Sequence, residues 1–79
     1  MPKVEGPQIH HLKTWPEFFE ASLAGIKPFE VRKNTRDFKL GDILILEEYL
    51  TGRKLARTIT YIFDNPGFCA DGYVVLGVK

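Results

Sequence analysis

The hydrophobic period of this chain changes at Gly25, and that change limits what the chain can fold into. Before it, Trp15, Phe18, Phe19 and Leu23 fall at i, i+3, i+4 and i+8, which is one face of a helix. After it, Phe29 and Val31 alternate with Glu30 and Arg32, the pattern of a half-buried strand. Ile43 to Leu46 is a continuous apolar run and is predicted to be a central strand. Leu55 to Phe63 is predicted as a long strand with Arg57, Ile59, Tyr61 and Phe63 on one side. Tyr73 to Val78 closes the chain as another apolar strand, and a short extended piece, Ile9 to Lys13, precedes the helix.

Local signals punctuate these segments. Thr14 is a candidate helix cap with Glu17 as its capping-box partner, Pro16 suits the first turn, and Gly25 supplies a left-handed stop. Residues 34 to 39 form a polar loop, Gly41-Asp42 and Gly52 mark turns, and Asp64-Asn65-Pro66-Gly67 breaks the long strand. Met1 to Pro7 reads as a flexible arm. The order predicts an α+β fold of about five strands in one domain over residues 1–79. One helix packs on a mostly antiparallel, strongly curved sheet or small β-barrel. If Phe29 and Val31 face its core, Glu30 and Arg32 share the opposite face.

Several function classes fall away. A chain of 79 residues buries only roughly 60% of its unfolded surface, which leaves little room for a deep private active site. The single cysteine, Cys69, permits no internal disulfide. No secretory leader and no apolar run near the length of a membrane span is present, so a cytoplasmic location is the default expectation. His10, His11 and Cys69 lack metal-ligand spacing, and neighbours on a strand point to opposite faces, so no metal is expected. The seven glycines are scattered at single turns, so no phosphate-cradling loop and no cofactor is expected. Pairing of Cys69 with either histidine would make a nucleophile. A lone cysteine in a small domain is more commonly an apolar filler.

What remains is charge. The net charge is +1, yet Lys27, Arg32, Lys33, Arg36 and Lys39 are opposed between positions 27 and 39 only by Glu30 and Asp37. That segment carries +3 and the rest of the chain −2. A concentrated cationic patch attracts anionic partners. A carboxylate beside two cations can accept from a nucleobase amino group while the cations meet phosphate. The plainer reading is a surface ion pair of small worth.

The run Gly25-Ile26-Lys27-Pro28-Phe29-Glu30-Val31-Arg32-Lys33-Asn34 is followed by Arg36-Asp37-Phe38, Gly41-Asp42-Ile43-Leu44 and Gly72-Tyr73-Val74-Val75-Leu76. With His11-Leu12-Lys13, these residues resemble the DUF3850 family, a small branch of the ASCH domains in the PUA-like superfamily. The resemblance covers residues 8 to 79. It implies a PUA-like β-barrel whose first helix leads into the motif strand, and an RNA or modified-nucleobase ligand in the groove beside them. Some ASCH proteins are amidohydrolases acting on acetylated cytidine. They use a Lys two residues after the motif glycine, a Thr three further on, and a distant Glu. Lys27 occupies the Lys position, Glu30 stands where that Thr would be, and the distant acid has no clear counterpart here.

The leading expectation is therefore an RNA- or nucleotide-binding module. Glu30 and Arg32 line its groove, Lys27 and Lys13 supply positive potential, Lys33, Asn34 and Arg36 meet the phosphate-sugar backbone, and Phe38 and Tyr73 are read as core rather than as stacking faces. Hydrolysis of a modified nucleoside by Lys27 and Glu30 is the second reading, and a protein-interaction module the third.

Overall fold

The computed structural model describes residues 6–79, so most of the arm expected over residues 1–7 lies outside the described residues. Six elements follow in order: β1 (Ile9–Thr14), α1 (Pro16–Leu23), β2 (Phe29–Lys33), β3 (Ile43–Glu48), β4 (Lys54–Phe63) and β5 (Tyr73–Val78). They form the expected α+β arrangement of one helix and five strands. The strand order across the sheet is β1-β3-β4-β5-β2. The pairs β3–β4, β4–β5 and β2–β5 are antiparallel, and β1–β3 is parallel. The apolar run in β3 lies between two neighbours, as its composition predicts.

The sheet does not close into the expected barrel. β1 and β2 are its two edges, and a side chain rather than a backbone ladder spans them. The Arg32 Nη1 donates to the Lys13 carbonyl at 2.9 Å.

The helix begins differently from the expectation. Thr14 ends β1, where its carbonyl accepts from the Tyr49 amide at 2.9 Å, and its side chain is buried. Trp15 takes the cap position with extended backbone and no side-chain cap bond, so the Thr14–Glu17 box does not form. Pro16 opens the helix, its fixed φ already suited to the first turn. At the far end Gly25 adopts φ +77, and the amides of Ile26 and Lys27 both donate to the Ala21 carbonyl, at 3.0 and 3.1 Å. Phe19 and Ser22 are the helix's buried residues, whereas Trp15, Phe18 and Leu23 remain exposed. The buried stripe is narrow because two arginines, one in the turn before β4 and one in β4, meet the helix. Arg53 lies 4.8 Å from the Phe19 ring centroid, and Arg57 Nη2 donates to the Ser22 carbonyl at 2.7 Å.

The core comprises Leu12, Phe38, Leu44, Leu46, Ile59, Val74, Leu76 and Val78, with Leu55 and Ile62 packed against it. Each fully buried side chain of this kind contributes roughly 1.5–3 kcal/mol. Phe38 is core as expected, but Tyr73 is exposed. Two strand faces depart from the sequence pattern. In β4 a register irregularity between Ile59 and Tyr61 turns Ile62 toward the core, leaving Tyr61 outside with Phe63. Gly77 lies opposite Tyr61, and a Cβ there would meet the Tyr61 Cβ at 3.1 Å.

In β2 the two faces are reversed. Glu30 is buried, while Phe29 and Val31 are exposed. The cause is register: Glu30 pairs with Leu76 and Arg32 with Val74, and both partners are core residues. Directly paired residues share a face, so the charged row of β2 points inward.

Candidate functional site

The inverted face of β2 creates the site. The peptide after Gly25 pins Lys27 to the end of α1, and Lys27 precedes by three residues the Glu30 that β2 turns inward. Lys27 Nζ donates to Glu30 Oε2 at 2.8 Å and to the Phe29 carbonyl at 2.8 Å. From the other side Arg32 Nε and Nη2 donate to Glu30 Oε1 at 3.3 and 3.0 Å. The Glu30 side chain is 3% exposed, against 18% for Lys27 and 22% for Arg32. The carboxylate is thus sealed under two cations that still touch solvent.

These residues floor a groove of about 370 Å³, lined also by Lys13, Thr14, Trp15, Phe18, Val31 and Tyr49. Its walls are aromatic. The Trp15 and Tyr49 ring centroids are 4.5 Å apart at a tilt of 35°. The Lys27 ammonium lies 5.8 Å from the Phe18 ring centroid and 5.1 Å from that of Phe29. Lys13 stands at the rim, paired with Glu47 at 3.1 Å.

Counting donors shows what the arrangement can do. An ammonium has three N–H donors and a guanidinium five. Lys27 uses two within the protein and Arg32 three, so both keep donors for an acceptor in the groove. Glu30, accepting from both cations, positions them rather than presenting a free carboxylate to a base amino group. A planar ligand carrying carbonyl or phosphate oxygens matches aromatic walls and cationic floor together.

The structure brings Lys13, Lys27, Glu30 and Arg32 together in this groove. Lys33 and Arg36 line a separate shallow depression of about 180 Å³ with Thr35, Leu12 and Phe38, and Arg32 lines both hollows. Asn34 lines neither; its amide donates to the Gly72 carbonyl at 2.7 Å. The sequence reading missed Trp15, Phe18 and Tyr49 as groove walls. The unusual exposure of Trp15 and Phe18 was masked by their helical spacing, and Tyr49 carries no local signal.

Two other buried polar clusters lie elsewhere. His10 and Asp42 pair at 2.8 Å, and Asp42 also accepts from the amides of Gln8 and Lys39 at 3.0 and 3.1 Å. Burial raises the Asp42 pKa. The hydrogen bonds from His10 and the two amides outweigh it and hold the carboxyl below its ordinary value. Glu48 is likewise held low, by hydrogen bonds from Arg53 and Thr51, and the Arg53 guanidinium is pushed up by Glu48 and Glu20. Arg53 joins Glu48 in β3 to Glu20 in α1, fixing the helix beside the groove. Cys69 is half-buried, with its thiol 3.7 Å from the Phe63 carbonyl, whereas His10 is committed to Asp42. Among the described residues, no three His, Cys, Asp or Glu side chains gather as metal ligands, and no helix is long and apolar enough to cross a membrane.

Comparison with known proteins places this geometry in a family. The chain is similar to a protein of Escherichia phage P2, "Uncharacterized 12.9 kDa protein in GpA 3'region", at 38% identity over 73 residues. That match covers 87% of this chain and 66% of the phage protein. The family described as "Domain of unknown function (DUF3850)" matches residues 9–78, from the first residue of β1 to the last of β5. The chain belongs to the DUF3850 family.

Proposed function

We propose that this chain is an RNA- or nucleotide-binding module of the PUA-like, ASCH type, acting in the cytoplasm and taking its ligand in the groove between β1, α1 and β2. The observation that carries the reading is Glu30, a buried carboxylate that holds Lys27 and Arg32 side by side under aromatic walls while both keep unused donors. Stacking on such walls is worth about 1–3 kcal/mol per base. Lys33 and Arg36, in the depression that shares Arg32 with the groove, and Asn34 between them in the chain serve as contacts for the phosphate-sugar backbone. On this reading the sheet is a PUA-like barrel opened along the seam between β1 and β2, with the ligand seated at the seam.

The test is binding of labelled single-stranded RNA, hairpin RNA and DNA, beside free nucleotides, across a salt series. Affinity for RNA should fall with salt, and the Arg32→Glu/Arg36→Glu variant should bind weakly with a salt slope flattened by about 1.4. Arg32 also bonds within the fold, so Lys33→Glu/Arg36→Glu, on two exposed residues, is measured beside it. RNA and nucleotide binding that is undiminished in both variants refutes the reading.

Hydrolysis of an acylated nucleoside is a second reading, favoured by the 2.8 Å contact between Lys27 Nζ and Glu30 Oε2 inside the groove. Against it, both Glu30 oxygens already accept from cations, so neither is presented free to a water in the groove. Turnover of an N-acylated nucleoside that disappears in Lys27→Met would establish it; no turnover would remove it.

A further inference from the structure

An antiparallel sheet with one solvated side normally alternates apolar-in and polar-out. The outer side of β4–β5–β2 breaks that rule. Register sets Phe29 beside Gly77 and Tyr61, then Val31 beside Val75 and Phe63, then Lys33 beside Tyr73. Phe68, from the loop before β5, extends the surface, its ring centroid 6.1 Å from that of Phe63. A hollow of about 230 Å³ runs along it, lined by Val31, Phe68, Cys69, Ala70, Tyr73 and Val75. In the opposite half the outward rows are mixed: Ile9, Ile43 and Ile45 are apolar, whereas Lys13, Glu47 and Lys54 make one whole row charged.

We propose that this outer face pairs with a second copy of the chain. Tyr61 is 64% and Phe68 81% exposed, and Phe29, Val31 and Tyr73 are also open to solvent. With 150–250 Å² for a whole aromatic side chain, the face presents roughly 500 Å² of apolar surface. That is near the top of the range for a monomer's largest patch. Two copies face to face would bury about 1,000 Å² in total, the lower limit for a specific interface. The composition fits an interface centre, rich in Tyr and Phe with its one charge, Lys33, at the end of the rows. A face without a charge pattern offers nothing to select a charged partner, whereas a copy of itself matches it in chemistry and extent. The stacked sheets would lie about 10 Å apart, and an interface this small is expected to be weak, with a Kd of about 10–100 µM.

Sedimentation equilibrium of the whole chain from about 1 to 500 µM spans that range. The wild type should pass from monomer to dimer. Tyr61→Glu/Phe68→Glu alters two solvent-facing side chains and should keep the wild-type circular dichroism while raising the dimer Kd at least about 100-fold. Leu50→Glu, at an exposed turn outside this face, should leave the Kd unchanged. A wild type that stays monomeric at the highest concentration overturns the proposal. So does a dimer that survives in the folded double variant, or one abolished by Leu50→Glu.

Discussion

Replacing Glu30 by Gln preserves the size of the side chain and removes only its charge. In the wild type the carboxylate accepts from Lys27 Nζ at 2.8 Å and from Arg32 Nε and Nη2 at 3.3 and 3.0 Å. An amide turns one of those oxygens into a donor group facing a cation. Breaking a fully buried pair by removing one partner costs about 3–5 kcal/mol. Lys27 and Arg32 keep some contact with water and can rehydrate, so about half of that applies, roughly 2 kcal/mol. For a chain of 79 residues, each 1 kcal/mol moves Tm by about 4–8 °C, giving a fall of about 8–16 °C. Thermal melts at neutral pH measure it, with Glu30→Gln, Arg32→Met and their combination forming a cycle. The coupling energy should be about 1 kcal/mol or more, and the effect should persist in high salt because the pair is sheltered. A Tm within about 2 °C of wild type would refute the reasoning. Glu30 would then be an ordinary surface pair.

Two further outcomes follow from the packing. Because Asp42 is held below its ordinary pKa of about 3.9, the unfolded chain binds more protons just below that pH. Stability from Asp42 should be complete above about pH 4 and be lost as pH falls through the lower folded value. Urea unfolding of Asp42→Asn between about pH 2.5 and 6 should therefore show a shallower acid slope, with the remainder left to Glu48, shifted the same way. Phe19→Ala should cost about 3–5 kcal/mol in denaturant unfolding, since Phe19 is fully buried beneath Arg53. A loss below about 1 kcal/mol would mean that the arginine contacts, not Phe19, dock the helix.

Elements whose cause is local were legible in the sequence. Gly25 ends the helix because only a residue free to take positive φ suits the turn it makes, and Ile43 to Leu46 is flanked on both sides because every position there is apolar. Pairing was not legible. Alternation divides β2 into two faces without saying which is inside. That choice is made by β5, more than forty positions later, whose Val74 and Leu76 are in register with Arg32 and Glu30. A charged row inside runs against hydropathy. It is tolerable here because Lys27 and Arg32, three before and two after Glu30, supply its partners. That spacing is visible in the sequence, and the three side chains do contact one another although the expected faces of the strand are reversed. Trp15 with Tyr49 and His10 with Asp42 are each more than thirty residues apart, so neither pair leaves any local trace. The Thr14 cap failed for a related reason: a distant partner, the Tyr49 amide, took Thr14 into β1.

The groove lies where the sheet fails to close, and the same side chains serve the gap and the site. Arg32 joins β2 to the Lys13 carbonyl of β1 while also holding Glu30, and Lys27 ties the end of α1 to β2 through the Phe29 carbonyl. Cations fixed in this way lose little freedom on meeting a ligand, and less ordering cost is left to oppose binding. The groove and the outer apolar face meet at Val31, which lines both hollows, and at Phe29. The Phe29 row points outward with Gly77 and Tyr61, yet its ring lies 5.1 Å from the Lys27 ammonium. A change at Phe29 would alter ligand binding and self-association together and identify neither. Tyr61 and Phe68 lie outside the groove, and Arg36 lies outside the rows of the outer face, which Lys33 ends. Substitutions at Tyr61 and Phe68 on one side and at Arg36 on the other therefore report on separate surfaces, so failure of one reading leaves the other standing.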